Sequence, residues 1–203
     1  MFALPRRMPI IPILTHFLLR KKISSLLRYR KGEFFMQTVP FNFNASKNLE
    51  ILSKTAFLTT HRAGKTNIMV TAWGAIGVMW KLPVYVAMVR KSRYSYKLIE
   101  KTREFTVTFP YTDLSKAAEV FGQSSGRDVD KLALTGLATR PARTVTTPVL
   151  DVPGMHLECS VIYARLMSAE KLNPAIQELW YDRQSNNYHA FFVSQILDSY
   201  ITP

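Results

Sequence analysis

The chain has 203 residues, enough for one domain with additions, and its 47% hydrophobic and 20% charged residues are an ordinary globular balance. Its single cysteine, Cys159, excludes an intrachain disulfide and any cysteine-cluster metal site. The net charge of +13 suggests a nucleic-acid binder, but residues 1–35 hold eight basic side chains against one acid, Glu33, which leaves only +6 for the other 168 residues.

Residues 1–35 are basic at both ends with an apolar middle. The run Met8 to Leu19 contains two prolines and is shorter than the ~20 residues a membrane span needs. No small-residue cleavage site follows it. A leader, an amphipathic surface anchor and translated upstream sequence all fit. Codon logic favours the last, because Arg30-Lys31-Gly32-Glu33 can be written almost wholly in purines shortly before Met36, as a bacterial ribosome-binding site would be. The expected organisation is therefore a basic extension over 1–35 and one domain over 36–203. A real basic tail is the alternative. A chain starting at Met36 is expected to fold and keep its ligand.

From Met36 onward the pattern is mainly β with short helices. Asn44 or Ser46 caps a helix carrying Leu49, Ile51 and Leu52. Thr55 to His61 is a strand, Arg62 to Lys65 a glycine-containing turn, and Thr66 to Trp73 the hairpin partner. Pro83 opens a strand, Val84 to Val89, apolar enough to be buried on both faces. Ser92 caps a helix to Lys101. Glu104 to Phe109 is a strand stopped by Pro110. A short helix, Ala117 to Phe121, is capped by Thr112 or Asp113, and a polar stretch runs from Gly122 to Lys131. Pro141 and Pro148 bracket a loop. His156 to Met167 and Tyr188 to Tyr200 are long strands, with a helical insertion from Asn173 to Trp180. Many strands with helices on the connections point to a decorated β-barrel.

Neither GxGxxG nor a P-loop occurs, and His16, His61, His156 and His189 are scattered, so no metal site is expected. His156 and His189 sit on strands, where packed histidines are the common case. Two polar clusters adjoin apolar strands. In the first, Arg90-Lys91-Ser92-Arg93-Tyr94-Ser95, basic and hydroxyl side chains stand at a helix N-terminus. That end already favours anions through its unpaired N–H groups and dipole, so a phosphate site and a capped, solvated first turn fit equally. The second, Ser124 to Lys131, reads as a ligand-gripping loop with two cations or as an ordinary surface loop.

Four segments in order, NIMVTAW (Asn67–Trp73), the Pro83 strand running into MVRKSRYSYKLIEK (Met88–Lys101), REFTVTFP (Arg103–Pro110) and SGRDVDK (Ser125–Lys131), resemble the flavin reductase-like, FMN-binding split-barrel family, especially its flavoredoxin-type members. The late strand YHAFFVSQI (Tyr188–Ile196) is similar to that family's closing strand, although Ser194-Gln195 stands where the family often has Gly-Glu. The resemblance implies a split β-barrel that binds FMN. Thr71, Ala72 and Trp73 would line the isoalloxazine, on the strand that begins at Asn67. Arg90, Ser92, Ser95 and the helix start at Tyr94 would hold the phosphate, with Ser125, Arg127 and Lys131 closing over the flavin or the phosphate. His189 matches a histidine that faces the nicotinamide or substrate. The implied activity is NAD(P)H-dependent flavin reduction by hydride transfer to flavin N5 in a cytoplasmic homodimer. Phe191, Phe192 and Tyr200 would supply apolar contact surface for the dimer, and reduced flavin would serve an electron-transfer protein or a monooxygenase. A flavoredoxin-like carrier without an NAD(P)H site is the alternative, and a non-enzymatic basic binding module the second. No nucleic-acid partner and no transmembrane segment are expected.

Overall fold

The structure, a computed structural model, describes residues 36–181 and 186–203. The basic stretch 1–35, with the readings of it as leader, anchor or upstream sequence, lies outside the described residues.

Among the described residues, ten strands and five α-helices follow one another: β1 (Gln37–Thr38), α1 (Ala45–Lys54), β2 (Ala56–Arg62), β3 (Lys65–Thr71), β4 (Gly74–Met79), β5 (Leu82–Arg90), α2 (Tyr94–Thr102), β6 (Glu104–Pro110), α3 (Ser115–Gln123), α4 (Lys131–Thr135), β7 (Thr139–Arg140), β8 (Val149–Leu150), β9 (Gly154–Leu166), α5 (Pro174–Trp180) and β10 (His189–Thr202). Eight of the strands form one sheet in the order β3-β2-β6-β9-β10-β5-β4, with β1 on the far end of β10; β7 and β8 pair separately. The main sheet is antiparallel throughout and does not close, so the architecture is the expected split barrel with helices on its connections.

Strand alternation gives the sheet two cores. Leu58 and Met69 point into the barrel with Tyr85, Phe105, Phe109, Leu157 and Phe192. Their chain neighbours Phe57 and Ile68 point the other way and pack under α3 against Phe121, Leu150 and Val152. Phe57 meets Phe121 edge-on, with centroids 5.4 Å apart. This second core seats α3 on β2 and β3.

Two hairpins turn on two residues at positive φ. Ala63-Gly64 is the expected glycine turn. Trp80-Lys81 (φ 51° and 61°) makes the same tight turn without glycine, so β4, absent from the sequence reading, has no Asn-Gly or Asp-Gly signal between it and β5. Val84 to Val89 is not buried on both faces: Val86 and Met88 are half-exposed, because one side of β5 borders a cavity. Ser92 does not cap α2. Arg93 holds the cap position in extended geometry with no side-chain cap bond, while Ser92 N–H donates to Asn187 Oδ1 at 3.2 Å. Asn44 precedes α1 but sits in the left-handed region and makes no side-chain cap bond. The first turn of α3 is tied by Asp113, whose carboxylate accepts from Ser115 N–H at 2.9 Å. Phe192 and Tyr200, expected at a subunit contact, are in the core (1% and 0% exposed). The large exposed apolar side chains include Val78, Met79 and Trp80 on the β4–β5 hairpin, Ile162, Tyr163 and Leu166 on the end of β9, and Leu179 on α5.

Two carboxylates on neighbouring strands hold the loop between Pro141 and Pro148. Buried Glu158 accepts from Arg143 N–H, Thr144 N–H, Thr144 Oγ1 and Tyr200 Oη at 2.6–2.9 Å. Glu104 accepts from the Thr146 hydroxyl and from Thr147 N–H and hydroxyl.

His156 is buried between strands. Thr202 donates its hydroxyl proton to Val152 O, so His156 Nε2 is the donor across 2.9 Å to Thr202 Oγ1, and Nδ1 accepts from Thr108 Oγ1 at 3.1 Å. The neutral ring is fully paired, and burial lowers its pKa from 6.5 to about 4. An unfolded chain therefore takes up this proton before the folded one does. The stability this gives is complete above pH ~6.5 and is lost as the pH falls toward ~4, a change of about 3 kcal/mol. Urea unfolding at a series of pH values should show that decline, and His156→Asn should make it shallower.

Candidate functional site

Two cavities adjoin where the outer ends of β3 and β5 meet α3 and the start of β10. The larger, about 500 Å³, lies between Met69–Trp73 of the β3 end, Met88 and Arg90 of β5, the face of α3 carrying Ala118 and Gly122, and the side chains of Trp180 and His189. The smaller, about 250 Å³, is a cup between Asn67, the α2 start from Ser92 to Ser95, and the loop Gln123 to Arg127. Met69, Arg90, Arg93 and Gln123 border both.

All the residues singled out from sequence line one cavity or the other. Thr71, Ala72, Trp73 and His189 line the larger; Asn67, Ser92, Tyr94, Ser95, Ser125, Arg127 and Lys131 line the cup; Arg90 stands where they meet. Ala72 and Trp73 fall between β3 and β4 and have no partner in either strand ladder. The Trp73 ring lies 4.9 Å from the His189 ring and meets Trp180 edge-on at 5.0 Å. His189 is buried, and Tyr181 Oη is 2.8 Å from its Nδ1. Desolvation, then Arg90 and Arg93, push its pKa down to about 4, so it is neutral at physiological pH.

The cup is cationic. Arg90, Arg93, Arg127 and Lys131 line it, and no carboxylate does among the described residues. Each cation is also tied to backbone oxygen. Arg93 donates to Gly122 O at 2.9 Å, and Arg127 to Ser92 O at 3.1 Å with its guanidinium over the Tyr94 ring. Lys131 is buried, and its ammonium donates to Ile68 O and Phe121 O at 3.0 and 2.9 Å. That engages two of its three N–H donors and fastens the loop to the barrel, so Lys131 closes the chain on itself more than on a ligand. Burial, then Arg93, lowers its pKa to about 8. Arg90 likewise has partners already, in Trp180 O and Asn187 O.

At the floor of the cup, buried Ser95 Oγ accepts from Asn67 Nδ2 at 2.8 Å and from Thr60 Oγ1 at 3.5 Å, which leaves the Ser95 proton for an acceptor in the cup. Asn67 Oδ1 is buried with no partner among the described residues. Gly126 lies directly on it, and a Cβ there would come within 1.9 Å of that oxygen. Only glycine lets the loop backbone settle this closely.

Arg93, Met88, Trp180 and Gly126 belong to the site but were not singled out from sequence. Arg93 and Gly126 lie inside the quoted clusters. Trp180 had a signal too, an aromatic residue ending an inserted helix.

The description "Flavin reductase like domain" fits residues 50–201 of the sequence. The chain belongs to that family. Among solved structures it is similar to an FMN-binding domain of a flavin reductase-like enzyme from Shewanella baltica OS155 (16% identity, TM-score 0.59, covering 83% of this chain and 78% of the other). It is also similar to flavoredoxin from Methanosarcina acetivorans (22%, TM-score 0.56, 88% and 76%). A third is the NADH:FAD oxidoreductase of Streptomyces globisporus C-1027 (16%, TM-score 0.54, 71% and 73%).

The residues present fit a flavin mononucleotide. The cup offers cations, a helix N-terminus and a buried hydroxyl to a phosphate, and the adjoining cavity, walled by methionine and aromatic side chains, lies in the size range of small-ligand sites. The contact beneath the loop can be tested directly. Gly126→Ala should destabilise the protein by about 1–3 kcal/mol in urea unfolding, the usual range for overpacking. Gly77→Ala, where a Cβ meets nothing within 4 Å, serves as the control and should be nearly neutral.

Proposed function

We propose that this chain is an FMN-binding oxidoreductase that uses NAD(P)H to reduce its flavin. The supporting observation is the adjacency of a carboxylate-lacking cationic cup to an aromatic-walled cavity, with Arg90 and Arg93 bordering both. Bound FMN would supply the redox chemistry, accepting hydride at N5 from the nicotinamide. The protein's part is binding and electrostatics. Ser95, Arg127 and the N–H groups at the α2 start bind the phosphate. Trp73, Met88 and the backbone at Thr71 to Trp73 flank the ring system. Arg90 and Arg93 set a positive field between the two, which favours a ligand that gains negative charge on reduction. Neutral His189 forms a wall and holds its hydrogen bond to Tyr181, and this reading assigns it no acid or base role.

The purified protein should be yellow or bind added FMN, and NADH or NADPH should bleach the flavin absorbance in anaerobic stopped flow. Ser95→Ala and Arg127→Ala should each weaken FMN by on the order of tenfold and leave riboflavin nearly unchanged, since only FMN carries the phosphate. Flavin that binds but is bleached by neither nucleotide would leave a flavoredoxin-like carrier, reduced by a protein partner. A colourless protein that takes up no flavin would end both readings.

The proposal includes a homodimer. The apolar β4–β5 hairpin tip and the end of β9 are exposed among the described residues, and a second copy in isologous contact would bury both. Sedimentation should give a dimer, and Trp80→Glu should shift it toward monomer.

A further inference from the structure

Arg90 is the last residue of β5 and pairs in register with His189, the first residue of β10. Its guanidinium spans two points of the chain, donating from Nη2 to Trp180 O at 2.9 Å and from Nη1 to Asn187 O at 3.1 Å. It also lies 5.0 Å from the Tyr181 ring centroid. Around it, Lys91 N–H donates to Tyr188 O, Ser92 N–H to Asn187 Oδ1, and Gln177 Nε2 to Tyr188 Oη. Tyr181 stacks on Tyr188 at 4.9 Å. Trp180 thus reaches the larger cavity and Trp73 from a helix end whose carbonyl is held by Arg90, and Asn187 reaches the rim of the cup from a carbonyl held by the same group.

We infer that Arg90 is a positioning residue: its guanidinium pins the backbone at Trp180 and Asn187, holding the Trp180 indole against Trp73 as a wall of the flavin cavity. The inference rests on the proposed flavin reading for its ligand, but not for its geometry. It reassigns Arg90 from the phosphate to the ring end of the site. The planar guanidinium suits the task because its two Nη atoms diverge toward different carbonyls, each with its own donor, while a lysine would have to serve both from a single nitrogen on a shorter side chain. The positive charge strengthens both bonds to the carbonyls, and the Tyr181 face adds a cation–π contact.

Two measurements test this. In the ligand-free protein, the near-ultraviolet circular dichroism of the indole pair should be lost in Trp180→Phe. It should be lost to a similar extent in Arg90→Ala and Arg90→Lys, with the far-ultraviolet spectrum unchanged. In equilibrium titrations, Arg90→Ala should weaken FMN and riboflavin by the same factor, on the order of tenfold, whereas Arg127→Ala weakens FMN alone. Retained indole dichroism in Arg90→Ala together with selective loss of FMN would overturn the inference and make Arg90 a phosphate ligand. If Arg90→Ala does not fold, Arg90→Lys decides, because it keeps the charge a phosphate contact needs and removes the span a pin needs. If the wild-type protein binds neither flavin, the proposed function falls and the indole measurement alone judges the pin.

Discussion

β10 is paired along both edges, and the site depends on where its pairing begins. Its first half, His189 to Gln195, is laddered to β5, and from Ala190 to Thr202 it is laddered to β9. A shift of one residue would turn every side chain of this strand to the opposite face. Phe192 and Ile196 are held inside the barrel, so that shift is blocked by the cost of exposing them. With the register fixed, His189 must stand opposite Arg90, and the two cavities must share that corner. The strand also carries β1 on Tyr200 and Ile201, so one element ties the start of the described chain to its end.

The second core has a different consequence. Phe57 and Ile68 face away from the barrel and hold α3 there, and α3 supplies one wall of the larger cavity and Gly122 O for Arg93. Lys131 then bridges β3 and the end of α3 through Ile68 O and Phe121 O. The loop between these anchors is short and polar. Its shape follows from the helix before it, the lysine after it and the Gly126 backbone seated on Asn67.

Much of this was legible in the sequence because the signals were local. The β-branched and aromatic residues of Thr55 to His61 and Thr66 to Trp73, the apolar run after Pro83 and the long stretch from Tyr188 gave the strands that carry the site. The order of the polar clusters gave the residues around the cup. The rest depended on partners distant in sequence. β4 was hidden because a Trp-Lys pair makes a turn usually written with glycine or asparagine. Ser92 looked like a helix cap, but its N–H is held by Asn187, a residue no local pattern could bring near. The roles of Arg90 and Lys131 could not be read either. Both are cations beside an anion-shaped cup, and only the structure shows that each already serves backbone carbonyls. Phe192 and Tyr200 looked like contact surface because aromatic residues on a terminal strand read alike whether they face inward or outward.

The described site carries a local electrostatic conflict. Arg90, Arg93, Arg127 and Lys131 converge on one small cup without a carboxylate, at the N-terminal end of a helix whose own dipole is positive there. Burial lowers the Lys131 pKa and Arg93 lowers it further, and both Arg90 and Arg93 lower that of His189, so the mutual repulsion is felt by their neighbours. Asn67 Oδ1 adds a buried acceptor with no donor among the described residues. Packing in the two cores and the carbonyl ties of each cation keep this arrangement in place. The side chains are therefore ordered before any ligand arrives, and an anion entering the cup gains attraction from several cations at once while losing little entropy in arranging them. On the proposed reading, a phosphate-sized anion would relieve this arrangement, and the aromatic-walled cavity beside it would limit which phosphorylated molecules could make use of it.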